Sequence, residues 1–500
     1  MALIFDQDQK DTIAAIATGR SEAGIGIVRI SGSDADNILN KIYRTPKGRM
    51  KSVWKPNTIH YGMIVDPDSG EMIDEVLVSW LKAPHSYTTE DTAEINTHGG
   101  IYLLERVLDA VLRAGARPAE PGEFTKRAFL GGRMDLSEAG AVMDLIHSQN
   151  EFARRNSLRQ LQGSVSSKVK DLRKKILYEI AFIESALDDP ENYSLDGYPG
   201  RLSEVCEDIL RELREILNRS ENGKLLQEGI KTVIVGKPNA GKSSLLNFLT
   251  GEDRAIVTSI AGTTRDTLSE TVRLGDVILH ITDTAGIHET QDVVESIGVE
   301  RAKKEIETAQ LILFITDLSS GITKEDEEIA NLVQKELNLG KSCILIQNKE
   351  DLEERKPTEQ NNEQNNERNE VQDDTHTADE CKEKEFLQNL QAQERVVSVK
   401  LSLLKGSGTN QLKEAVLKLF HLGEIMDSNE LFLTEEHQKV FIRNTIHSLE
   451  LTKNSIQKGL SEDFYSIDLR NAYSQLGKMI GEEVEDDLVE EIFSRFCLGK

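Results

Sequence analysis

Four short runs in this chain could together hold a nucleoside triphosphate. Gly236-Lys-Pro-Asn239-Ala240-Gly241-Lys242-Ser243 follows the apolar run Thr232–Val235 and precedes a helix-forming run from Ser244. Glycines there let the backbone curl so that its N–H groups face phosphate oxygens. Lys242 can set its ammonium beside the outer phosphates, and the Ser243 hydroxyl can ligate magnesium. Asn348-Lys349-Glu350-Asp351 stands at the end of a second apolar run, Cys343–Ile346. A carboxylate at Asp351 can accept two hydrogen bonds, from N1–H and the N2 amine of guanine. Adenine offers no matching donors and would leave that carboxylate unpaired. Asp283-Thr284-Ala285-Gly286, at the end of Val277–Ile281, suits the approach to magnesium and the γ-phosphate. Thr263 and Thr264 lie between these motifs, where a switch loop would supply a second magnesium ligand. The four elements, in this order and on these strands, read as a guanine-nucleotide domain.

The hydrolytic machinery is less conventional. Ile287 follows Gly286 where many switch GTPases carry a glutamine that orients the attacking water. An apolar side chain cannot do that, and an arginine finger is worth about 10³–10⁵ in rate. Asn239 and one of the acids Glu289, Asp292 and Glu295 are candidates to replace such groups; the residues alone leave the choice among the acids open.

These motifs need a scaffold, and the pattern of apolar residues predicts one. Thr232–Val235, Val277–Ile281, Leu311–Ile315, Cys343–Ile346 and Val396–Leu401 alternate with helical stretches, which predicts a parallel sheet covered by helices on both faces. Ahead of it, Ile25–Ile30 and Val76–Leu81 are β-rich, and Leu103–Leu112 reads as a short amphipathic helix. Val165, Val169, Leu172, Ile176, Ile180, Ile183 and Leu187 recur at three- and four-residue steps along one helix face. Leu202, Val205, Ile209, Leu213 and Ile216 repeat that pattern after a break at Pro190–Gly200, and helical patterning returns after about Gly423.

Five hundred residues at roughly 150 per domain suggest about three domains. The net charge of −26 disfavours non-specific binding to nucleic acid or anionic membranes, although a local basic patch can survive within it. Residues 353–395 hold 13 acids and 6 bases among Gln, Asn and Thr, and so contribute −7 of that charge. They are too polar to offset the entropy of ordering, which predicts a disordered loop insertion. The N-terminus lacks the basic and apolar regions of a secretory signal, and the apolar runs are too short to span a bilayer. Cys206, Cys343, Cys381 and Cys497 are too far apart for a zinc pair or a disulfide framework, so a reducing cytoplasm is the natural reading.

Several flanking runs resemble the tRNA-modifying GTPase family MnmE, also called TrmE, over nearly the whole chain. They are Asp11-Thr-Ile-Ala-Ala-Ile-Ala-Thr18, Gly24-Ile-Gly-Ile-Val-Arg29-Ile-Ser-Gly32, Ser86-Tyr-Thr-Thr-Glu-Asp91, His98-Gly-Gly100 and Pro121-Gly-Glu-Phe-Thr-Lys-Arg-Ala-Phe129. Thr258-Ser259-Ile260-Ala261-Gly262-Thr263-Thr264-Arg-Asp266 is similar to the family's first switch, and Phe496-Cys497-Leu-Gly-Lys500 to its C-terminal signature. Generic translation GTPases share the nucleotide motifs but not these flanks.

The resemblance implies a multidomain α/β and α fold. An α+β domain over 1–122 would dimerise and bind a tetrahydrofolate derivative, 5-formyl- or 5,10-methylene-tetrahydrofolate. A helical domain over 123–223 and 426–500 would be interrupted by a P-loop GTPase domain over 224–425. The family works as a homodimer with the FAD-dependent flavoprotein MnmG, or GidA, to install an aminomethyl-type group on C5 of the wobble uridine of certain tRNAs. The nucleotide contacts carried over are Asn239, Ala240, Gly241, Lys242, Ser243, Ser244, the run Thr258 to Thr264, Asp283 to Gly286, Asn348, Lys349, Asp351, Ser402, Leu403 and Leu404. Ser243 and Thr264 fall on magnesium ligands, and Asn239, Thr258, Ile260 and Thr263 on a potassium site where the cation would act as an arginine finger does. Glu295 falls on the family's catalytic glutamate, and Lys242 is the second catalytic candidate. Arg29, Glu94, Arg133 and Lys500 match folate contacts, and Cys497 is a candidate reactive thiol.

The chain departs from the family pattern in places. Thr18-Gly-Arg-Ser-Glu-Ala23 replaces a Pro- and Gly-rich turn, Arg133 stands where Lys is common, and Leu498 replaces Ile. Ser402-Leu403-Leu404 lacks the flanking cation of the usual last base-contacting motif, which bears on guanine affinity. A ribosome-assembly or RNA-binding switch without one-carbon chemistry is the alternative reading, and a scaffold that binds GTP without turnover is a third.

Overall fold

A computed structural model describes residues 11–252, 269–282, 305–319, 322–349, 393, 395–403, 408–420, 422, 431–484 and 486–500. The chain divides into two compact units. One holds residues up to Ile146 with Ser157–Arg211 and His437–Lys500; the other holds His147–Asn156 and Glu212–Glu436. The insertion over 353–395 lies almost wholly outside the described residues.

In the first unit a seven-stranded sheet runs in the order Tyr43–Arg44, Thr58–Val65, Met72–Leu81, Thr92–Gly99, Ala23–Ser31, Ile13–Ile16, Arg117–Pro118. All neighbours are antiparallel except the last pair. Period-two alternation decides which face is core. Val28, Ile30, Val76, Val78, Trp80 and Ile95 point inward against the helices Ala35–Ile42 and Ile101–Arg113. The second of these contains the helix expected over Leu103–Leu112. The other face carries Arg29 directly opposite Glu94, with Ile59, Tyr61 and Leu77 exposed nearby on neighbouring strands.

The same unit contains the helices Glu123–Leu130, Leu136–His147 and Ser164–Asp188 and, from the end of the chain, Glu436–Gln457, Glu462–Met479 and Asp486–Ser494. Ser164–Asp188 packs against Glu462–Met479, burying the expected stripe from Val165 to Ile183. Leu187 does not belong to it: in the last turn before Asp189 it is 45% exposed, because the packed face ends at Ala186. The second long helix, Tyr198–Glu228, begins inside the expected Pro190–Gly200 break. Pro199 is tolerated there because first-turn N–H groups have no helical acceptor. Among the described residues no helix is long and apolar enough to cross a membrane.

The second unit is the expected α/β layer. Its sheet runs Val396–Lys400, Ser342–Asn348, Leu311–Asp317, Ile230–Val235, Val277–Thr282, Ser269–Leu274. Five strands are parallel; the edge strand Ser269–Leu274 is antiparallel, and the apolar pattern did not reveal it. Leu311–Asp317 and Ser342–Asn348 are buried at every position, as central parallel strands covered on both faces must be. Leu245, Leu249, Leu412 and Val416 fill one face, and Ala330, Val333 and Leu337 fill the other. Strand order reverses at Ile230–Val235, so the crevice at its carboxyl end is where such sheets bind ligands.

Candidate functional site

The loop Gly236–Gly241 leaves that carboxyl end and enters the helix Lys242–Glu252. Its shape depends on two glycines. A Cβ on Gly236 would sit 2.5 Å from the Ile315 carbonyl oxygen, and one on Gly241 would sit 2.4 Å from Asn348 Nδ2. Gly241 is at φ 105° and Asn239 at φ 61°, so the chain turns through left-handed conformations around buried Ala240. Such a succession of turns lines backbone N–H groups around a concavity that suits anions. Lys242 Nζ donates to the carbonyls of Gly236 and Lys237 at 2.8 and 2.9 Å, which holds the ammonium across the loop. Ser243 and Ser244 are exposed in the first helical turn. For Gly236→Ala we expect about 1–3 kcal/mol of destabilisation, from forced displacement of a central strand. Urea unfolding checks this; a variant as stable as wild type would show that the strand yields freely.

Asn348 ends the strand Ser342–Asn348 and reaches the same loop: its Nδ2 donates to the Ala240 carbonyl at 3.1 Å. Its Oδ1 accepts from the Lys349 N–H at 2.8 Å, and Lys349 is held at φ 67°. Lys349 Nζ meets Asp317 Oδ2 at 2.5 Å. Burial raises the Asp317 carboxyl, but Lys349 and Ser319 outweigh it and hold the group below its usual range. Ser402, buried, and Leu403 follow the strand beside Asn348. The structure therefore brings together Asn239, Ala240, Gly241, Lys242, Asn348 and Lys349. Thr258, Ser259, Ile260, Ala261, Gly262, Thr263, Thr264, Asp283, Thr284, Ala285, Gly286, Glu295, Asp351 and Leu404 lie outside the described residues.

A second cluster forms on the outer face of the seven-stranded sheet. Arg29 Nε donates to Glu94 Oε1 at 3.0 Å, and its Nη1 donates to the Gly499 carbonyl at 3.3 Å. The guanidinium lies 5.3 Å from the Tyr87 ring centroid and 5.6 Å from that of Phe124. Arg133 stacks on Tyr87 at 4.6 Å and donates to its carbonyl, and Lys500 Nζ is 6.0 Å from the same ring. Burial, helped by Arg29, pushes the Lys500 ammonium below the usual lysine range against the pull of Glu94 and Cys497. Cys497 is an exposed free thiol whose carbonyl accepts from Gly122 N–H at 3.4 Å. Arg29, Arg133 and Lys500 thus surround one aromatic ring, with Glu94 joined to the cluster through Arg29, although the residues lie up to 471 positions apart in the chain.

A family model described as "MnmE helical domain" matches residues 136–497, and one described as "GTP-binding protein TrmE N-terminus" matches residues 12–133. The chain belongs to the MnmE family. It is 46% identical to the tRNA modification GTPase MnmE of Lachnoclostridium phytofermentans, over 98% of this chain and 99% of that one. The MnmE of Bacillus subtilis is 42% identical over 98% of this chain and 100% of its own length. That of Thermoanaerobacter pseudethanolicus is 41% identical over 98% and 99%. Two residues of this MnmE-family chain escaped the sequence reading. Tyr87, at the centre of the second cluster, sits in the run Ser86–Asp91 that already marked the resemblance. Asp326 gave no signal: it is fully buried and holds Lys237 of the phosphate loop at 2.9 Å from 89 residues away.

Proposed function

We propose that this chain is a GTP hydrolase that drives tRNA modification, acting on C5 of the wobble uridine. With the flavoprotein MnmG it would add an aminomethyl-type, carboxymethylaminomethyl, group. The observation that carries the reading is the phosphate loop, closed by Lys242 and braced by Asn348, in a chain whose nearly full-length relatives bear the name tRNA modification GTPase. The loop's N–H groups and Lys242 would hold the β- and γ-phosphates. The Ser243 hydroxyl is a hard oxygen donor in the place a magnesium ion needs, and that ion, when bound, neutralises charge between the phosphates. Asn239 stands exposed at the loop's edge with a second hard oxygen. It suits potassium, with Thr258, Ile260 and Thr263 completing the set and Glu295 positioning the water. Turnover should therefore be faster in potassium than in sodium buffer; equal, negligible rates in both would turn the reading toward a non-hydrolysing scaffold. Mass analysis of wobble nucleosides with and without the gene tests the whole, and unchanged nucleosides would defeat it.

Guanine selection rests on Asp351. In Asp351→Asn the side chain offers one donor and one acceptor instead of two acceptors. That pattern complements xanthine, whose C2 bears a carbonyl. We expect GTP affinity to fall by about 10⁴-fold, the cost of a mispaired buried polar contact, with XTP binding gained. Competition of GTP and XTP for the variant decides; retained GTP preference removes Asp351 from the site.

The second cluster suits a tetrahydrofolate derivative. Glu94 can accept from a pterin's N–H groups, the Tyr87 ring offers a face for stacking, and Arg29, Arg133 and Lys500 match its carboxylates. Arg29 also fixes Glu94, so Arg29→Ala should weaken 5-formyl-tetrahydrofolate binding roughly 10- to 100-fold, the loss of one charged hydrogen-bonding group, while GTP turnover stays unchanged. Unaltered folate affinity would count against the site. Ile59, Tyr61 and Leu77, exposed at 67%, 52% and 47% on that face, support a homodimer formed there.

A further inference from the structure

Residues 157–175 carry six bases and one acid, net +5, in a chain whose total is −26. Most of them sit at the start of the helix Ser164–Asp188, where a cavity of about 910 Å³ opens. Arg133 and Lys170 line it, with Ser166 and Ser167 from the first turn of that helix. The helix is entered through Gly163 at φ 84°, which provides no side-chain cap, so its first N–H groups are left to another acceptor. Ser166 is 5% exposed and makes no side-chain hydrogen bond among the described residues, and the buried Ser164 Oγ beside it has no partner. The Ser166 hydroxyl and the first N–H groups of the helix are therefore donors at the cavity.

The acids at its rim are already engaged. Asp135 accepts from Ser137 Oγ at 2.6 Å and from Glu138 N–H at 3.0 Å, while Glu482 pairs with Arg173. Burial, with the Asp135 charge close by, pushes the Glu138 carboxyl above its usual range against the pull of the Asp135 N–H and Lys170. From the cavity the exposed face continues along Lys170 and Lys174 to Tyr178, which is 60% exposed. From Ser167 to Tyr178 this stripe runs about 16 Å at the α-helical rise. Neither lysine forms an ion pair among the described residues. A cavity alone would suit a small anion. A cavity continued by Lys170 and Lys174, with the single exposed acid Asp171 between them and an exposed aromatic at the end, suits a chain of phosphates.

We propose that this cavity and the Lys170–Lys174 stripe dock the phosphate backbone of the tRNA substrate. The proposal rests on the tRNA reading above and adds the surface by which this chain itself would hold the RNA. Phosphate contacts position without reading sequence, so the surface would serve several tRNAs alike.

The test uses the full-length chain, labelled deacylated tRNA, and titrations at several salt concentrations. Lys170→Ala/Lys174→Ala should weaken binding at least five-fold near 100 mM salt and lower the slope of log K against log salt by about 1–2, one counterion per lost contact. Ser167→Asp is the second variant. A carboxylate in the first helical turn stabilises the helix, so an unfolding midpoint at or above wild type with weakened tRNA binding separates docking from folding. Basal GTP turnover and 5-formyl-tetrahydrofolate binding should not change in either. Wild-type affinity and slope in both variants would overturn the proposal, as would displacement of tRNA by poly-γ-glutamate of equal charge at equal concentration. A wild-type chain that binds no tRNA would overturn it too, while altered wobble nucleosides in cells lacking the protein would leave the modification reading standing.

Discussion

Asp326→Ala should cost the nucleotide-binding unit about 3–5 kcal/mol, the expected loss when one partner of a buried ion pair is removed. The side chains of Asp326 and Lys237 are 0% and 9% exposed. Asp326 Oδ2 accepts from Lys237 Nζ, from Thr323 N–H and from Thr323 Oγ1, each at 2.9 Å. Removing the carboxylate takes its ion-pair partner from the Lys237 ammonium beside the phosphate loop and strips the start of the helix Lys324–Asn338 of its acceptor. The damage should reach function as well. The Lys237 carbonyl receives Lys242 Nζ, so a loop that relaxes at Lys237 also loses the posture of Lys242. We expect weaker GTP binding together with a lower denaturant midpoint. The double variant Lys237→Met/Asp326→Leu should recover most of the stability, because neither charge of the pair is then buried without the other. It should not recover GTP affinity. A loss under 1 kcal/mol in Asp326→Ala would show that water reaches the pair.

That tie shows what a sequence can disclose here and what it hides. The phosphate loop was legible because its chemistry lies in consecutive residues and its strand is an uninterrupted apolar run. The central strands were legible for the same reason: Leu311–Asp317 is buried throughout, so no alternation complicates it. Ser269–Leu274 was missed because a short edge strand has no such run, only Val272 and Leu274 among four polar residues. Leu187 was misread as packed because periodicity reports a face but not where the neighbouring helix ends. Arg29, Glu94 and Lys500 came from the family resemblance, and nothing in their spacing shows that Arg29 pairs with Glu94 and shares the Tyr87 ring with Lys500. Asp326 is one acid among several in a helix start rich in them, and only tertiary contact separates it from Glu325 and Glu327.

Lys242→Ala should lower kcat/KM for GTP by at least 10²–10³-fold, or about 2.7–4 kcal/mol, the usual loss when one preorganised charge is taken from a developing anion. Its ammonium bridges the carbonyls of Gly236 and Lys237 and is so held across the loop where the outer phosphates would arrive. Charge on those phosphates grows toward the transition state, and the interaction with Lys242 strengthens with it. The structural share of the side chain is small. Two partly buried carbonyls lose one donor, worth about 0.5–1.5 kcal/mol each at most. Turnover should therefore collapse while the unfolding midpoint falls little, the reverse of the balance expected for Asp326→Ala. Lys242→Arg should not rescue, because a planar guanidinium is too wide for a cleft shaped by Gly236 and Gly241. Turnover within three-fold of wild type in Lys242→Ala would mean that the loop does not hold the reacting phosphates, and the hydrolase reading would fall with it.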